Sequence, residues 1–395
     1  MSDPAIAILA VLSLVSLFIV VLMQAAVRHV LRRPVAFGFA SLPVSILKPL
    51  RGGDDELEEN LESFARLRYP SFEILLGAED AADPALVVAR RFQRRHPALA
   101  ISVHVCDRVL GPNPKVNVLA GLAAHAKHPL LLISDSNVRV APAFLAETAA
   151  EFSDPRVALV TNPVVGAGEE TLGSAMENAH LDSFVVGAIC GANVFAGRAC
   201  VLGKSMLFRR DVFEREIGWR SLRGVLAEDY FFGRRLEQRG WKIAIAPHPV
   251  VTFNQRWTVD RFLARHARWS QIRRRLGPGA FCAELLLNPL PIALGLLVAS
   301  LLTPDPEGAA LAIAIIAAKI LLDRALLRRL RGAASPRIPV VAIVAKDLLL
   351  PFVWLLGAIG RHVDWRGHRV RLGRHTRLFV ARPPMPVAER ARRIA

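Results

Sequence analysis

The feature that most constrains the fold is an apolar run near the N-terminus, from Ala5 to Met23, which only two serines interrupt. Together with Ala25–Val27 it reaches the ~20 residues that a helix needs to cross a bilayer. A signal peptide would carry basic residues before such a run, whereas here Asp3 precedes it and arginines follow it. The sequence therefore predicts a transmembrane anchor at residues 1–27, with the N-terminus outside and the next domain in the cytoplasm.

Three more apolar segments follow in the C-terminal part of the chain: Leu285–Pro304, Gly308–Leu322 and Pro339–Gly360. The third contains Lys346 and Asp347, which are costly in hydrocarbon unless they are paired. A full crossing would also leave an arginine-rich tail outside, against the positive-inside rule. We therefore expect a re-entrant or interfacial third segment within a membrane region at 284–360, followed by a basic tail at 361–395.

Composition supports a membrane protein of a reducing compartment. The chain has 395 residues, 53% of them hydrophobic, and a net charge of +17. Such a charge suits phosphorylated substrates, anionic membranes or nucleic acid, and the crowding of arginines beside the apolar segments favours the membrane. The four cysteines show no Cys-x-x-Cys spacing, which argues against a zinc site or a disulfide framework. Nothing here indicates oligomeric state.

The central part of the chain alternates short apolar strands with helical stretches. The predicted strands are Val44–Leu47, Glu73–Gly77, Ile101–Cys106, Leu130–Ser134, Val157–Thr161, Ala199–Phe208 and Trp241–Ala246. This pattern predicts an α/β domain at 28–257 with a mostly parallel sheet, in which ligands bind beyond the carboxyl ends of the strands. The basic stretch 258–283 predicts an amphipathic helix lying on the membrane surface.

Polar residues follow the predicted strands where a ligand is expected. Asp135 comes directly after Leu130–Ser134, and a carboxylate there can hold Mg²⁺ or Mn²⁺ on a diphosphate, although a simple turn is the competing interpretation. Asp80 likewise follows a strand, where it can bind a nucleoside or precede a helix cap. Lys115 lies at a predicted helix N-terminus, a position that attracts phosphate.

Two phrases near the end of the domain carry acid–base and anion-binding chemistry. Glu228 and Asp229 stand side by side before a helical run, where they serve either as helix-capping acids or as a general base, for which we favour Asp229 with Glu228 in support. Arg265 and Arg268 share one helix face with Trp269 beside them. Paired guanidinium groups bind phosphate oxygens, though membrane-surface charge is the alternative.

Taken in order, the phrases of this chain resemble the ceramide glucosyltransferase family. The matching phrases are Lys48-Pro49-Leu50, Asn60-Leu61-Glu62, Tyr69-Pro70, Asp80 to Asp83-Pro84, Asn113-Pro114-Lys115, Asp135-Ser136 with Arg139-Val140, Gly203-Lys204-Ser205-Met206, Ala227-Glu228-Asp229-Tyr230 and Arg265 to Trp269. The resemblance implies a GT-A glycosyltransferase domain, an inverting reaction, a UDP-sugar donor and a ceramide or similar lipid acceptor.

The resemblance also assigns roles to single residues. It implies that Asp80 binds the uridine, that Asp135 holds the metal and the diphosphate, and that Asp229 is the catalytic base. Arg265, Arg268 and Trp269 match the family's (Gln/Arg)-x-x-Arg-Trp signature, which embraces diphosphate and acceptor. Lys48, Lys115, Asn117 and Arg139 are added as donor-binding residues.

Three alternatives stay open at this point. Hopanoid N-acetylglucosaminyltransferases share nearly all of these phrases, and the Glu228-Asp229 pair only leans toward the ceramide enzymes. A polysaccharide synthase would need more membrane segments than the chain offers. A non-enzymatic protein that binds anionic lipid through its +17 charge would leave the ordered acids without a role. Nucleic acid is not expected as a partner.

Overall fold

The structure is a computed structural model that describes residues 3–35, 42–53, 55–332, 337–360, 362–365, 368–373 and 376–379. The described parts fall into two compact units, which interleave along the sequence. One, the sheet unit, comprises Val30–Val164, Arg198–Phe253 and Asp364–Ala395; the other, the helical unit, comprises Met1–His29, Val165–Gly197 and Asn254–Val363. The end of the predicted basic tail, 380–395, lies outside the described residues.

The strands are β1 Val44–Pro49, β2 Phe72–Ala78, β3 Ile101–Val105, β4 Leu130–Ser134, β5 Val138–Arg139, β6 Val157–Thr161, β7 Val164–Ala167, β8 Ser205–Arg209, β9 Lys242–Ile245, β10 Val250–Phe253, β11 His362–Trp365, β12 His368–Leu372 and β13 Leu378–Phe379. The helices are α1 Pro4–Leu31, α2 Leu57–Ala65, α3 Pro84–Arg95, α4 Pro114–Ala123, α5 Phe144–Ala149, α6 Leu172–His180, α7 Val186–Ala196, α8 Arg210–Glu216, α9 Trp219–Leu222, α10 Glu228–Gln238, α11 Val259–Leu276, α12 Pro278–Ala283, α13 Pro289–Leu302, α14 Pro306–Arg331 and α15 Val340–Ile359.

The sheet unit is built on a seven-stranded sheet in the order β3-β2-β1-β4-β8-β6-β9. The pairs β1–β2, β1–β4, β2–β3 and β6–β9 are parallel, whereas β8 runs antiparallel to both of its neighbours. The central strands read as continuous apolar runs because both faces of the sheet are covered. The predicted α/β class is therefore confirmed, and the expected parallel sheet contains one reversed strand.

The reversed strand brings two loops to one edge of the sheet. In the β4–β8 ladder, Ser134 at the end of β4 pairs with Ser205 at the start of β8. The residues after β4 and the residues before β8 therefore meet at the carboxyl edge of the parallel strands. The sequence placed the start of β8 at Ala199, which is six residues too early: the amide of Ser205 donates to the carbonyl of Leu202, and this turn delays the strand.

The helical unit contains the helices that are long and apolar enough to cross a membrane. Among the described residues these are, by length and composition, Pro4–Leu31, Leu172–Ala196 and Val340–Ile359. The helices Pro278–Leu287 and Pro289–Leu302 pass the same test only as a pair, with a bend of 59° between them. Leu172–Ala196 lies inside the predicted catalytic domain, and it was not predicted as an apolar segment because α6 is rich in polar residues.

The third C-terminal segment was expected to be re-entrant or interfacial, and its structure bears only on the re-entrant course, while an interfacial position stays a prediction. It is one continuous helix, α15, with Pro351 in its interior, so it does not turn back on itself as a re-entrant loop would. Its charged residues, Lys346 and Asp347, do not break the helix because they have buried partners: Lys346 Nζ lies 3.5 Å from Asp323 Oδ2, and Lys319 Nζ lies 2.9 Å from Asp347 Oδ2.

Candidate active site

Five charged side chains of the sheet unit meet at the carboxyl edge of its sheet, and we call them the site cluster: Lys115, Asp135, Lys204, Glu228 and Asp229. Three are acids and two are bases, so the cluster carries one surplus negative charge at neutral pH if every member is ionised. They come from four separate stretches of sequence, which the sheet topology brings together.

Lys115 is the centre of the site cluster. It stands in the first turn of α4, which Asn113 caps by accepting a hydrogen bond from the amide of Val116. Its Nζ lies 2.9 Å from Asp135 Oδ1 and 3.2 Å from Glu228 Oε1. Burial alone would lower the pKa of Lys115, but the carboxylates of Asp135 and Glu228 outweigh it and raise the pKa above its ordinary value. The ammonium group is therefore permanently charged.

Asp135 begins the loop after β4 and faces two ammonium groups. Besides Lys115, Lys204 Nζ lies 3.6 Å from Asp135 Oδ2 and donates to Asn137 Oδ1 at 2.6 Å. The Asp135 side chain keeps 26% of its surface exposed, so a ligand can reach it. Lys204 was not predicted as a site residue, although it belongs to the phrase Gly203-Lys204-Ser205-Met206, which matches the family resemblance.

Asp229 is held at the start of α10 by two backbone amides. Its Oδ2 accepts from Gly203 N at 2.8 Å and its Oδ1 accepts from Tyr230 N at 2.8 Å. The close approach depends on glycine, since a Cβ on Gly203 would come within 3.0 Å of Asp229 Oδ2 and 3.1 Å of Lys115 Nζ. These two hydrogen bonds fix the orientation of the carboxylate.

The pKa of Asp229 is raised to about 6, chiefly by burial and then by the neighbouring carboxylate of Glu228. Lys115 and the two amides act in the opposite direction but do not cancel the effect. A carboxylate of this pKa is largely ionised at neutral pH and takes up a proton far more readily than an ordinary aspartate. This is the property that a general base needs.

The other predicted donor residues of the sheet unit lie around the site cluster in different ways. Lys48 is completely buried in β1, where its Nζ donates to the carbonyl of Asp135 at 3.0 Å, so it supports the loop from beneath. Asn117 Oδ1 accepts from the amides of Leu110 and Gly111 and shapes the loop before α4. Both residues hold the walls of the site, and direct donor contact by either stays a prediction.

Asp80 and Arg139 are more accessible. Asp80 is exposed after β2, and its Oδ1 accepts from Ala82 N at 2.9 Å within a turn. Arg139 forms an ion pair with Glu56 and stacks 3.8 Å from the ring centroid of Phe253. The nucleoside and donor roles implied for them stay predictions.

The second predicted motif, Arg265, Arg268 and Trp269, lies on α11 of the helical unit. The guanidinium carbon of Arg265 stands 5.0 Å from the ring centroid of Trp257 and 4.4 Å from that of Trp269. Its Nε lies 3.4 Å from Glu177 Oε1. Two indole rings and a buried carboxylate therefore fix the orientation of this guanidinium.

Glu177 also binds the histidine within the motif. His266 Nε2 lies 2.7 Å from Glu177 Oε2, and both side chains are fully buried. Burial lowers the pKa of His266, although Glu177 opposes this effect. The ring is therefore neutral, and its Nε2–H group donates a hydrogen bond to the Glu177 carboxylate. Sequence reasoning missed Glu177 because it precedes His266 by 89 residues and no local spacing connects them.

The sheet and its charged carboxyl edge define the fold class of the protein as the GT-A fold. The fold matches a solved mannosyltransferase from Pyrobaculum calidifontis, in complex with GDP-Man and Mn²⁺, with a TM-score of 0.51 and 17% sequence identity. The match covers 90% of this chain and 98% of that chain.

The sequence comparison then identifies the family. A model described as Glycosyl transferase family 21 matches residues 8–378, and the chain belongs to this family. It is 31% identical over 261 residues to ceramide glucosyltransferase 3 and 32% identical over 249 residues to ceramide glucosyltransferase 1, both of Caenorhabditis elegans. These matches cover 65% and 62% of this chain but 56% and 52% of the relatives, so the chain spans little more than half of their length.

Proposed function

We propose that this protein transfers a sugar, most simply glucose, from a UDP-sugar to the primary hydroxyl of ceramide and forms a β-glycosylceramide. The observation that carries the proposal is Asp229: two amides orient its carboxylate, and burial and the neighbouring carboxylate of Glu228 raise its pKa to about 6. The names of the relatives support the acceptor. The hydrophobic helices support membrane association, with the anchor, catalytic, interfacial and membrane segments proposed at the predicted boundaries and the catalytic domain proposed to face the cytoplasm.

The reaction would be a single displacement at the anomeric carbon. Asp229 accepts the proton of the acceptor hydroxyl while that oxygen attacks the anomeric carbon and the bond to the UDP oxygen breaks. Attack from the face opposite the leaving group converts an α-linked donor to a β-glycoside. Glu228 serves as support, since its negative charge raises the pKa of Asp229 and so strengthens the base.

The diphosphate would be met by the positive charges of the chain. Lys115 and Lys204 stand beside Asp135 and can bind phosphate oxygens as point charges. Asp80, Lys48, Asn117 and Arg139 are proposed to bind or frame the rest of the donor. Arg265, Arg268 and Trp269 are proposed to contact the diphosphate and the acceptor, and the rigid placement of Arg265 supports this role.

Mg²⁺ or Mn²⁺ would be held by Asp135. Among the described residues no group of three or more histidine, cysteine or acidic side chains has metal-site geometry. A single accessible carboxylate nevertheless fits Mg²⁺, which usually binds one or two carboxylates together with substrate phosphates and water. When bound, the ion would neutralise the developing charge of the diphosphate.

The test is a turnover assay in detergent micelles. Ceramide, diacylglycerol and bacteriohopanetetrol are each offered with UDP-glucose, UDP-galactose, UDP-glucuronic acid and UDP-N-acetylglucosamine, with Mg²⁺, Mn²⁺ or EDTA, and products are read by mass spectrometry. We expect hexosylceramide as the product with Mg²⁺ or Mn²⁺ and no product with EDTA. If the product is instead an N-acetylglucosaminyl hopanoid, the proposed acceptor is wrong and the proposed mechanism stands. No product from any pair, by folded protein that binds UDP, would reject the proposal.

A further inference from the structure

The helical unit contains an apolar cavity of about 410 Å³. Its walls come from α1, the π-helical turn Leu181–Val185, the stretch that leads into α13, and the middle of α15. The lining is mostly hydrocarbon, with Leu9, Leu12, Ile292 and Val353 among its side chains. This volume lies within the ~300–1,000 Å³ typical of ligand pockets.

Backbone geometry keeps the walls of the cavity apart. The segments Pro278–Leu287 and Pro289–Leu302 meet at a bend of 59° beside it. A Cβ built on Gly295 would meet nothing closer than Leu9 Cδ2 at 4.0 Å. One wall is braced by Trp354, whose ring stacks on Phe281 at 4.8 Å and whose Nε1 donates to the Phe281 carbonyl at 2.9 Å.

The cavity has a polar rim as well as an apolar interior. Arg273 and Glu284 both line the cavity and form an ion pair with two contacts. Arg273 Nε lies 2.8 Å from Glu284 Oε2, and Arg273 Nη2 lies 2.6 Å from Glu284 Oε1. The Arg273 side chain is 33% exposed, so this side of the cavity borders solvent or head groups. An apolar interior beside an exposed ion pair suits an amphiphile.

Asn288 adds a second polar group to the wall of the cavity. It lines the cavity and is only 7% exposed. Its Nδ2 donates to the carbonyl of Asp347 at 2.9 Å, which fixes the amide, but its Oδ1 has no hydrogen-bond partner within the described part of the chain. Buried acceptors in native proteins are normally paired, so Asn288 is a polar group that the wall of the cavity leaves incompletely satisfied.

We propose that this cavity binds a hydrocarbon chain of the acceptor lipid, with the polar part of the lipid at the Arg273–Glu284 pair. The proposal rests on the proposed lipid glycosyltransferase function and adds the site that binds the hydrocarbon chain of the acceptor. Ceramide carries an amide N–H and a secondary hydroxyl next to its chains, and either can donate to the Glu284 carboxylate at the rim. The ester groups of a glycerolipid have no such donor.

The first test fills the cavity. Gly295→Phe adds a ring facing Leu9, and Val298→Phe on the exposed face of the same helix is the matched control. We expect Gly295→Phe to lower kcat/KM for octadecanoyl-ceramide at least about tenfold relative to hexanoyl-ceramide, and Val298→Phe to leave the ratio unchanged. An unchanged ratio in folded Gly295→Phe would overturn the proposal. If that variant does not fold, Leu12→Trp fills the same cavity from α1.

The second test does not depend on turnover. A ceramide with a diazirine in its acyl chain is photolysed with the wild-type protein in micelles, and the labelled peptides are mapped. Labelling of the peptides containing Leu12 and Ile292 that excess ceramide suppresses would support the cavity even if no glycosylated product forms in any assay. Equal labelling by a diazirine phosphatidylcholine, or no label at these peptides, would overturn it.

Discussion

Two clusters of lysines and carboxylates in this chain look alike in composition and differ in what they can do. One is the site cluster of the sheet unit. The other, which we call the buried quartet, joins two helices of the helical unit and consists of Lys319, Asp323, Lys346 and Asp347. In the site cluster, the side chains of the two lysines and of their partners Asp135 and Glu228 are 13–26% exposed. The side chains of the buried quartet are only 1–5% exposed.

The balance of charge separates the two clusters. In the buried quartet two lysines face two aspartates, so each charge is compensated at close range. In the site cluster a third carboxylate, Asp229, is left over, and its pKa rises to about 6. A compensated cluster in a low dielectric holds helices together, while a surplus carboxylate within reach of solvent is available to accept a proton.

The largest effect is expected for Asp229→Asn. The amide keeps the shape of the side chain but cannot accept the proton, so turnover should fall about 10²–10⁴-fold. Donor binding, measured by calorimetry with the UDP-sugar, should stay within about twofold of wild type, since no donor contact depends on this proton. Loss of turnover and binding together would indicate a structural role for Asp229.

The control for this variant is Asp211→Asn. Asp211 is an exposed acid in the first turn of α8 in the same unit, so it matches Asp229 in residue type and helix position. It should retain wild-type turnover. A comparable loss there would mean that the assay reports folding of the sheet unit and not base chemistry.

Next in size is the effect of breaking the buried quartet. Lys346→Met leaves Asp323 and Asp347 short of a buried partner, which should lower the free energy of unfolding by about 3–5 kcal/mol. The measurement is thermal unfolding in detergent. Lys242→Met, which removes a surface pair with Asp154, should leave the free energy of unfolding nearly unchanged, because solvent screens an exposed ion pair. Equal shifts of the unfolding temperature in the two variants would contradict the claim that the buried quartet stabilises the protein.

A smaller effect is expected for Lys115→Gln, which weakens the positive side of the site cluster. Loss of a charge-assisted contact should weaken donor binding about 10–100-fold. Removing the ammonium also removes an influence that lowers the pKa of Asp229, so the acid limb of the pH–rate profile should move to higher pH. Lys127→Gln, on the same unit after α4, should change neither quantity.

Much of the sheet unit could be predicted from the sequence because its signals are local. β4 and β6 are continuous buried runs whose predicted bounds are confirmed. Asp135 was recognisable as a candidate because it directly follows β4, and Asp229 because two adjacent acids begin a helical run, which is α10. Such signals need no knowledge of tertiary contacts.

The rest depends on contacts between distant parts of the chain. Lys204 belongs to the site only because β8 runs antiparallel to β4, and sequence pattern does not give strand direction. In the sequence Glu177 is an ordinary polar residue of α6. Its role becomes visible only in the structure, where His266 of α11 contacts it. The charges of Lys346 and Asp347 argued for an interrupted segment, but Lys319 and Asp323 compensate them and α15 continues.

The most direct test of the central claim is the pH dependence of kcat/KM in wild type and in Glu228→Gln. Asp229 must be ionised to act as a base, so activity should be full above its pKa and fall as the pH drops through about 6. Glu228 raises that pKa, so its neutralisation should move the acid limb to lower pH. A limb that stays in place, or moves to higher pH, would contradict the assignment of Asp229 as the base.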